Sequence, residues 1–93
     1  MSLTFLIPGP LRELASNQSD VRVNGSAQSV SDALSLLWAT HPGLRDRVLT
    51  ERGDVRQHIN IFVDGESIRY AGGLAMPVQD GAEIVILPAL SGG

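Results

Sequence analysis

The chain has 93 residues, of which 43% are hydrophobic and 18% are charged, and its formal net charge is −3 at pH 7. This length predicts one small domain that buries somewhat more than about 60% of the surface its unfolded chain exposes, and the acidic balance argues against a protein that follows nucleic-acid phosphates. The sequence has no cysteine, which excludes disulfides, thiolate metal sites and cysteine nucleophiles, and no lysine, which excludes Schiff-base catalysis and a P-loop.

The first quarter of the chain predicts two strands joined by a loop. Residues 3–7 (LTFLI) read as a strand, and the Pro-Gly-Pro sequence at 8–10 ends it because two prolines remove backbone hydrogen-bond donors. One helical turn over residues 11–15 is expected next. A second strand follows at 20–23, where polar and apolar residues alternate up to the turn pair Asn-Gly at 24–25.

The clearest helix signal begins at Ser29. Its hydroxyl can cap the amide of Asp32, three residues later, and the Asp32 carboxylate then faces the helix N-terminus. Apolar residues follow at the spacing of one helix face, and we expect that face to pack on a sheet with its tryptophan in the core. The residues of this stripe are Val30, Ala33, Leu34, Leu37 and Trp38. The helix ends at 41–43, and a shorter helical stretch is predicted to run on to Gly53.

The second half of the chain predicts a hairpin and a final strand. Residues 58–63 alternate strictly between polar and apolar, and the Asp-Gly pair at 64–65 supplies the positive φ angles of a tight turn. The return arm is predicted at 67–70. An irregular crossover over 72–77 then leads to the last strand at 82–87.

The element order predicts an α+β fold with the main helix packed on one face of the sheet and the first and last strands as central neighbours. Alternate strand residues then face the helix: Leu3, Phe5, Ile7, Val21, Val23, Ile59, Ile61, Val63, Ile84 and Ile86. The opposite face carries Leu6, Phe62, Val85 and Leu87 beside His58 and Asn60. If these four apolar side chains cluster, they form a candidate partner-binding surface. The alternative is that loops or the tail cover them.

The C-terminal segment is the candidate reactive part of the chain, so residues 1–87 are taken as the domain and 88–93 as a flexible tail. Gly92 and Gly93 lack a Cβ and can thread a narrow active site, which would leave the Gly93 carboxylate as the reactive group. Six extended residues reach roughly 20 Å beyond the last strand. The residues that set this reach are Pro88, Ala89, Leu90 and Ser91. A frayed end is the alternative, since two terminal glycines arise by chance in about one chain in 200.

These features together resemble the MoaD/ThiS family of ubiquitin-like sulfur carriers. The resemblance rests on the element order, on residues 60–65 (NIFVDG), and on the turn at 80–81 that leads through a strand and a proline to the terminal Gly-Gly. Within the family, residues 69–75 (RYAGGLA) and 86–93 (ILPALSGG) are most similar to the branch that supplies sulfur for cysteine synthesis. The molybdopterin-synthase branch often has an aromatic residue and two prolines before its tail, and residues 87–89 (LPA) depart from that pattern.

The resemblance implies a β-grasp fold with a mixed sheet of four to five strands and one main helix on one face. It also implies that a ubiquitin-activating-type enzyme, using ATP and Mg²⁺, joins the Gly93 carboxylate to AMP. A carboxylate is a poor acyl donor until AMP is its leaving group, and sulfide or a persulfide can then form a thiocarboxylate. The chain itself would be a co-substrate with no bound cofactor or metal. Its second partner would be a cysteine-synthase-like enzyme or a molybdopterin synthase large subunit.

Several alternatives stay open at the level of the sequence. The same activated glycine would suit a ubiquitin-like protein modifier that ends in an isopeptide bond, and a plain interaction module or a small enzyme would not need the glycines at all. The final sulfur acceptor stays open, because the sulfur could serve cysteine synthesis or enter the molybdopterin dithiolene, the thiamine thiazole or a specialised metabolite. A cytoplasmic location is expected, because no apolar run approaches ~20 residues and the start MSLTF lacks the basic region of a signal peptide.

Overall fold

A single five-stranded sheet organises the chain, for which a computed structural model describes residues 1–88. The strands are β1 (Ser2–Leu6), β2 (Asp20–Asn24), β3 (Ile59–Val63), β4 (Glu66–Ser67) and β5 (Glu83–Pro88). Their order across the sheet is β2-β1-β5-β3-β4. The β1–β5 pair is parallel and the other neighbours are antiparallel, so the sheet is mixed. The first and last strands are central neighbours, as the sequence predicts.

The main helix, α1 (Val30–Thr40), is fixed at its start by reciprocal hydrogen bonds. The Asp32 amide donates to Ser29 Oγ at 3.3 Å, and the Gln28 amide donates to Asp32 Oδ2 at 3.0 Å. Four residues of the predicted stripe are buried, but Trp38 is only half-buried at the rim of the core. At about 100° per residue, Trp38 lies about 80° around the helix from Val30 and so falls on the flank of the stripe.

The core lies between α1 and one face of the sheet. All ten strand residues predicted to face the helix are buried, with Phe5, Ile84 and Ile86 completely inaccessible to solvent. Each large apolar side chain buried in this way contributes about 1.5–3 kcal/mol. No polar or charged residue is buried within residues 1–88. The core therefore stabilises the fold but contains no polar side chain that could take part in a reaction.

Two predicted elements are shorter than expected because tertiary packing ends them. The second helical stretch is a 3-10 turn followed by α2 (Arg45–Val48), and the chain is extended at Leu49, which bridges to Val55 instead of continuing to Gly53. The hairpin turn is confirmed, with φ of 49° at Asp64 and 89° at Gly65. Its return arm pairs over two residues only, because the chain then turns to bury Ile68.

Candidate functional site

The face of the sheet opposite α1 carries a row of apolar side chains across its three central strands. Leu6 on β1 is paired with Val85 on β5, and Val85 is paired with Phe62 on β3. Neighbouring strands lie about 4.7–4.9 Å apart and paired residues share a face, so these three side chains are neighbours. We call them the apolar row. Each is half-buried, so part of its surface is available to a partner.

Leu87 extends the apolar row toward the C-terminal end of β5. It is paired with Asn60 of β3 and is 42% exposed, which makes it one of the few large hydrophobic residues in the described chain that lie open to solvent. The structure thus brings together the four apolar residues that the sequence places on this face. Their role in partner binding stays a prediction.

A groove lies beside the apolar row, between the ends of β1 and β5. It has a volume of about 390 Å³, and Leu6, Val85 and Leu87 line it together with Arg12 and Asp20. Arg12 is held there because its Nε donates to the Ile7 carbonyl at 3.0 Å. Asp20 accepts a hydrogen bond from the Ser19 hydroxyl at 2.8 Å. A cation and an anion therefore flank the apolar surface on the β2 side.

Arg12 is a neighbour of the apolar row that the sequence interpretation missed. It belongs to a 3-10 helix, Gly9–Ala15, that follows β1. Strand alternation assigns faces only to residues within strands, so it could not place this side chain. The proline pair that stops β1 is the one sequence signal that the chain turns sharply at this position.

The tail begins at the same end of the central strands. Pro88, assigned to the tail from the sequence, is the last residue of β5 and is paired with Ile59. The other predicted site residues, Ala89, Leu90, Ser91, Gly92 and Gly93, lie outside the described residues, so their roles stay predictions. Strand β5 has a neighbour on each side, so its last residue, Pro88, lies among the central strands next to Leu87.

The two histidines lie apart and form no catalytic pair. His41 caps α1, and its Nδ1 lies 2.9 Å from Thr40 Oγ1. His58 is exposed just before β3, where it lines a shallow depression with Asp46, Arg47 and Arg56. Residues 1–88 hold no cluster of three or more histidine, cysteine, aspartate or glutamate side chains that could bind a metal ion. In that part of the chain, no helix is both long and apolar enough to span a membrane.

Known proteins resemble this chain in both sequence and fold. The sequence profile of the ThiS family matches residues 5–93. The chain is 34% identical to the sulfur carrier protein CysO of Mycobacterium tuberculosis over 95 residues, which covers 100% of both chains. It is 37% identical to small archaeal modifier protein 1 of Haloferax volcanii over 84 residues, or 89% of this chain and 91% of the relative.

A solved structure matches the fold at similar coverage. In the crystal structure of the Amycolatopsis orientalis BexX/CysO complex, the matching chain superposes with a TM-score of 0.87 at 32% identity. The match covers 98% of this chain and 99% of the other.

Proposed function

The chain belongs to the ThiS family of ubiquitin-like sulfur carriers, and from that premise we propose that Gly93 carries sulfur as a thiocarboxylate after a partner enzyme adenylates it. The fold is the ubiquitin-like β-grasp that the sequence predicts, with five strands in a mixed sheet and one main helix on one face. We also propose that this carrier works in the cytoplasm, where ATP is available to its partner.

One observation carries the proposal: the apolar row and the base of the tail lie side by side on the face of the sheet that does not build the core. Leu87 is the residue before Pro88 and is paired with Asn60, next to the Phe62–Val85 pair. A partner that docks on this face would receive the tail at a fixed position. The family match supports the role of the tail, because it extends to residue 93 and so includes the terminal Gly-Gly.

The chemistry divides into two balanced steps. The Gly93 carboxylate oxygen attacks the α-phosphorus of ATP, which releases pyrophosphate and leaves the acyl group joined to AMP. A sulfide or persulfide sulfur then attacks the acyl carbon and AMP departs, with a reductant cleaving the S–S bond where the donor is a persulfide. The partner supplies the nucleotide and Mg²⁺ sites, since this sequence has no P-loop and its described residues offer no metal cluster.

The docking surface for the adenylating enzyme is the apolar row with Leu87. Half-buried apolar side chains on a rigid sheet lose little conformational freedom on binding, so the partner gains affinity from burying them. Interfaces of this kind concentrate their binding energy in a few central, well-packed side chains. Phe62 is the aromatic member of the row and Val85 is its centre, because Val85 has a partner on each side.

We favour cysteine synthesis as the process that uses the sulfur. Its support is the 34% identity to CysO over the whole of both chains. The accepting partner would then be a cysteine-synthase-like enzyme. Transfer to a molybdopterin synthase large subunit or to the thiazole of thiamine would use the same thiocarboxylate on the same tail.

A second candidate function is protein modification. It is favoured by the 37% identity to small archaeal modifier protein 1, which is the higher identity over a shorter match. In that case a lysine amine of a target protein displaces AMP and an isopeptide bond forms in place of the thiocarboxylate.

Intact-mass measurement tests these functions together. The purified chain is incubated with the adenylating enzyme from the same organism, ATP, Mg²⁺ and a sulfide source. The expected product has the mass of the chain with one oxygen replaced by sulfur. As a positive control, the same enzyme preparation must consume ATP with a known relative of this chain. An unchanged mass of this chain under those conditions would contradict the proposal. Formation of covalent conjugates with added lysine-containing protein would favour the modifier function.

A further inference from the structure

All seven basic side chains of this protein are arginines, at positions 12, 22, 45, 47, 52, 56 and 69. The chain therefore offers no amine besides its α-amino group. This composition matters only if the tail becomes an acyl donor, so the inference that follows rests on the proposed function.

An acyl-adenylate reacts with amines as well as with sulfur. The amine nitrogen attacks the acyl carbon, AMP leaves, an amide bond forms and a proton is released. At a reference pKa near 10.4, roughly one lysine in 2,500 is neutral and nucleophilic at pH 7. Tethering on the same chain raises its effective concentration to the millimolar range. A guanidinium cannot be deprotonated in proteins and presents donors only, so it carries the same charge without this reactivity.

Arginines lie on both sides of the point where the tail leaves the sheet. Arg12 lines the groove that contains Leu87, on the β1 side of β5. Arg56 lies on the other side, beside His58, whose neighbour Ile59 is paired with Pro88. The Arg56 Nε donates to the Asp46 carbonyl at 2.7 Å, which ties this side chain to α2.

The length of the tail allows its end to reach either arginine. Five residues follow Pro88 in the sequence, and a chain of that length spans at most about 18 Å. An amine at position 12 or 56 would therefore be an intramolecular competitor for the activated glycine.

The α-amino group lies at the opposite end of the sheet. Strands β1 and β5 are parallel, so Ser2 lies near the start of β5, where its amide donates to Asp80 Oδ1 at 2.7 Å. The carbonyl of Met1 accepts a hydrogen bond from the Gly25 amide at 3.0 Å, which anchors the N-terminal residue there. Strand β5 rises about 17 Å from Glu83 to Pro88, so the α-amine is held roughly a full strand length from the base of the tail.

We infer that the arginines around the tail act as specificity determinants. They place positive charge near the base of a tail that ends in a carboxylate, and they lack the amine that would capture the activated Gly93. The sulfide or persulfide that attacks the activated Gly93 then faces no competition from this chain's own side chains, either within one copy or between copies.

The test replaces arginine by lysine near to and far from the tail. Arg12→Lys and Arg56→Lys are the near variants. Arg22→Lys is the far control, since Arg22 is paired with Thr4 toward the other end of the sheet. Each protein is activated with the adenylating enzyme, ATP and Mg²⁺ without a sulfur source. Intact mass then detects the product lighter by one water, and peptide mapping locates the new amide.

The near variants should form this product at least about tenfold more than the wild type or Arg22→Lys, because tethering favours nearby amines. Arg12→Gln loses the same hydrogen bond to Ile7 but has no amine, so it should behave like the wild type. Equal product in all variants, with pyrophosphate released normally, would overturn the inference. Absence of pyrophosphate release from every protein would instead count against the proposed function.

Discussion

The two faces of the sheet are built from the same strands, yet they differ in how completely the rest of the chain seals them. On the α1 side, Phe5, Ile84 and Ile86 have no accessible surface. On the other side, their sequence neighbours Leu6 and Val85 stay half-buried, and Leu87 is 42% exposed. The first face builds the buried core of the domain. The second keeps apolar surface that folding does not use, which is where a partner can gain binding energy.

The largest effect on stability should come from the sealed face. Phe5→Ala removes a side chain with no exposure and should lower the free energy of unfolding by about 3–5 kcal/mol, through lost burial and a cavity. The matched change on the open face, Phe62→Ala, should cost about 1 kcal/mol or less, since Phe62 is only partly covered. Urea unfolding of both variants measures the difference. Equal costs would mean that the two faces contribute alike to folding.

The open face should show the reverse pattern in activation. Val85→Asp places a charge at the centre of the apolar row and should raise the KM of the adenylating enzyme for this protein by about 30-fold, or about 2 kcal/mol. Glu83→Gln, two residues earlier on the same strand and face, is the control and should change KM less than about twofold. Steady-state pyrophosphate release gives both values. A KM for Val85→Asp close to that of the wild type would remove the apolar row from the docking surface.

The helix cap should affect folding without affecting activation. Ser29→Ala removes the hydroxyl that accepts from the Asp32 amide and should cost about 1 kcal/mol of stability. The KM for activation should not change, because α1 lies on the sealed side of the sheet. Thermal unfolding and the same kinetic assay test both halves of this prediction, and a raised KM in the folded variant would show that the partner also contacts the helix side.

An effect of similar size is expected at the turn that follows Phe62. Gly65 has φ of 89° and open space where a Cβ would lie, so Gly65→Ala meets only backbone strain and should cost about 1 kcal/mol. Gly9→Ala also meets open space but has no positive φ, and its stability should be unchanged or slightly raised. Differential scanning calorimetry of the pair isolates the strain. A neutral Gly65→Ala would indicate that the turn adopts another conformation.

Regular periodicity explains which parts of the fold the sequence predicts well. Strand alternation assigns both faces of the sheet, and the 3.6-residue stripe with its Ser29 cap locates α1. Both signals depend on residues close together in the sequence, so they can be recognised without knowledge of the tertiary structure. The central β1–β5 pair is predicted from the element order.

The features that the sequence did not predict correctly all depend on contacts between residues that are distant in the sequence. Helix α2 ends where Leu49 bridges to Val55, the hairpin arm is cut short by burial of Ile68, and Trp38 is left on the flank of α1. Arg12 reaches the open face only because a 3-10 helix turns back at the end of β1. For the tail, the sequence remains the source of the site prediction, since residues 89–93 lie beyond the described chain.

The central claim is that the carboxylate of Gly93 is the reactive group and that the domain presents it to a partner. Its most direct test compares sulfur loading of the wild type with that of a variant carrying one alanine after Gly93, using intact mass after activation with ATP and sulfide. The wild type should gain one sulfur in place of oxygen, and the extended variant should remain unmodified while retaining the wild-type unfolding midpoint. Equal sulfur loading of the two proteins would contradict the account.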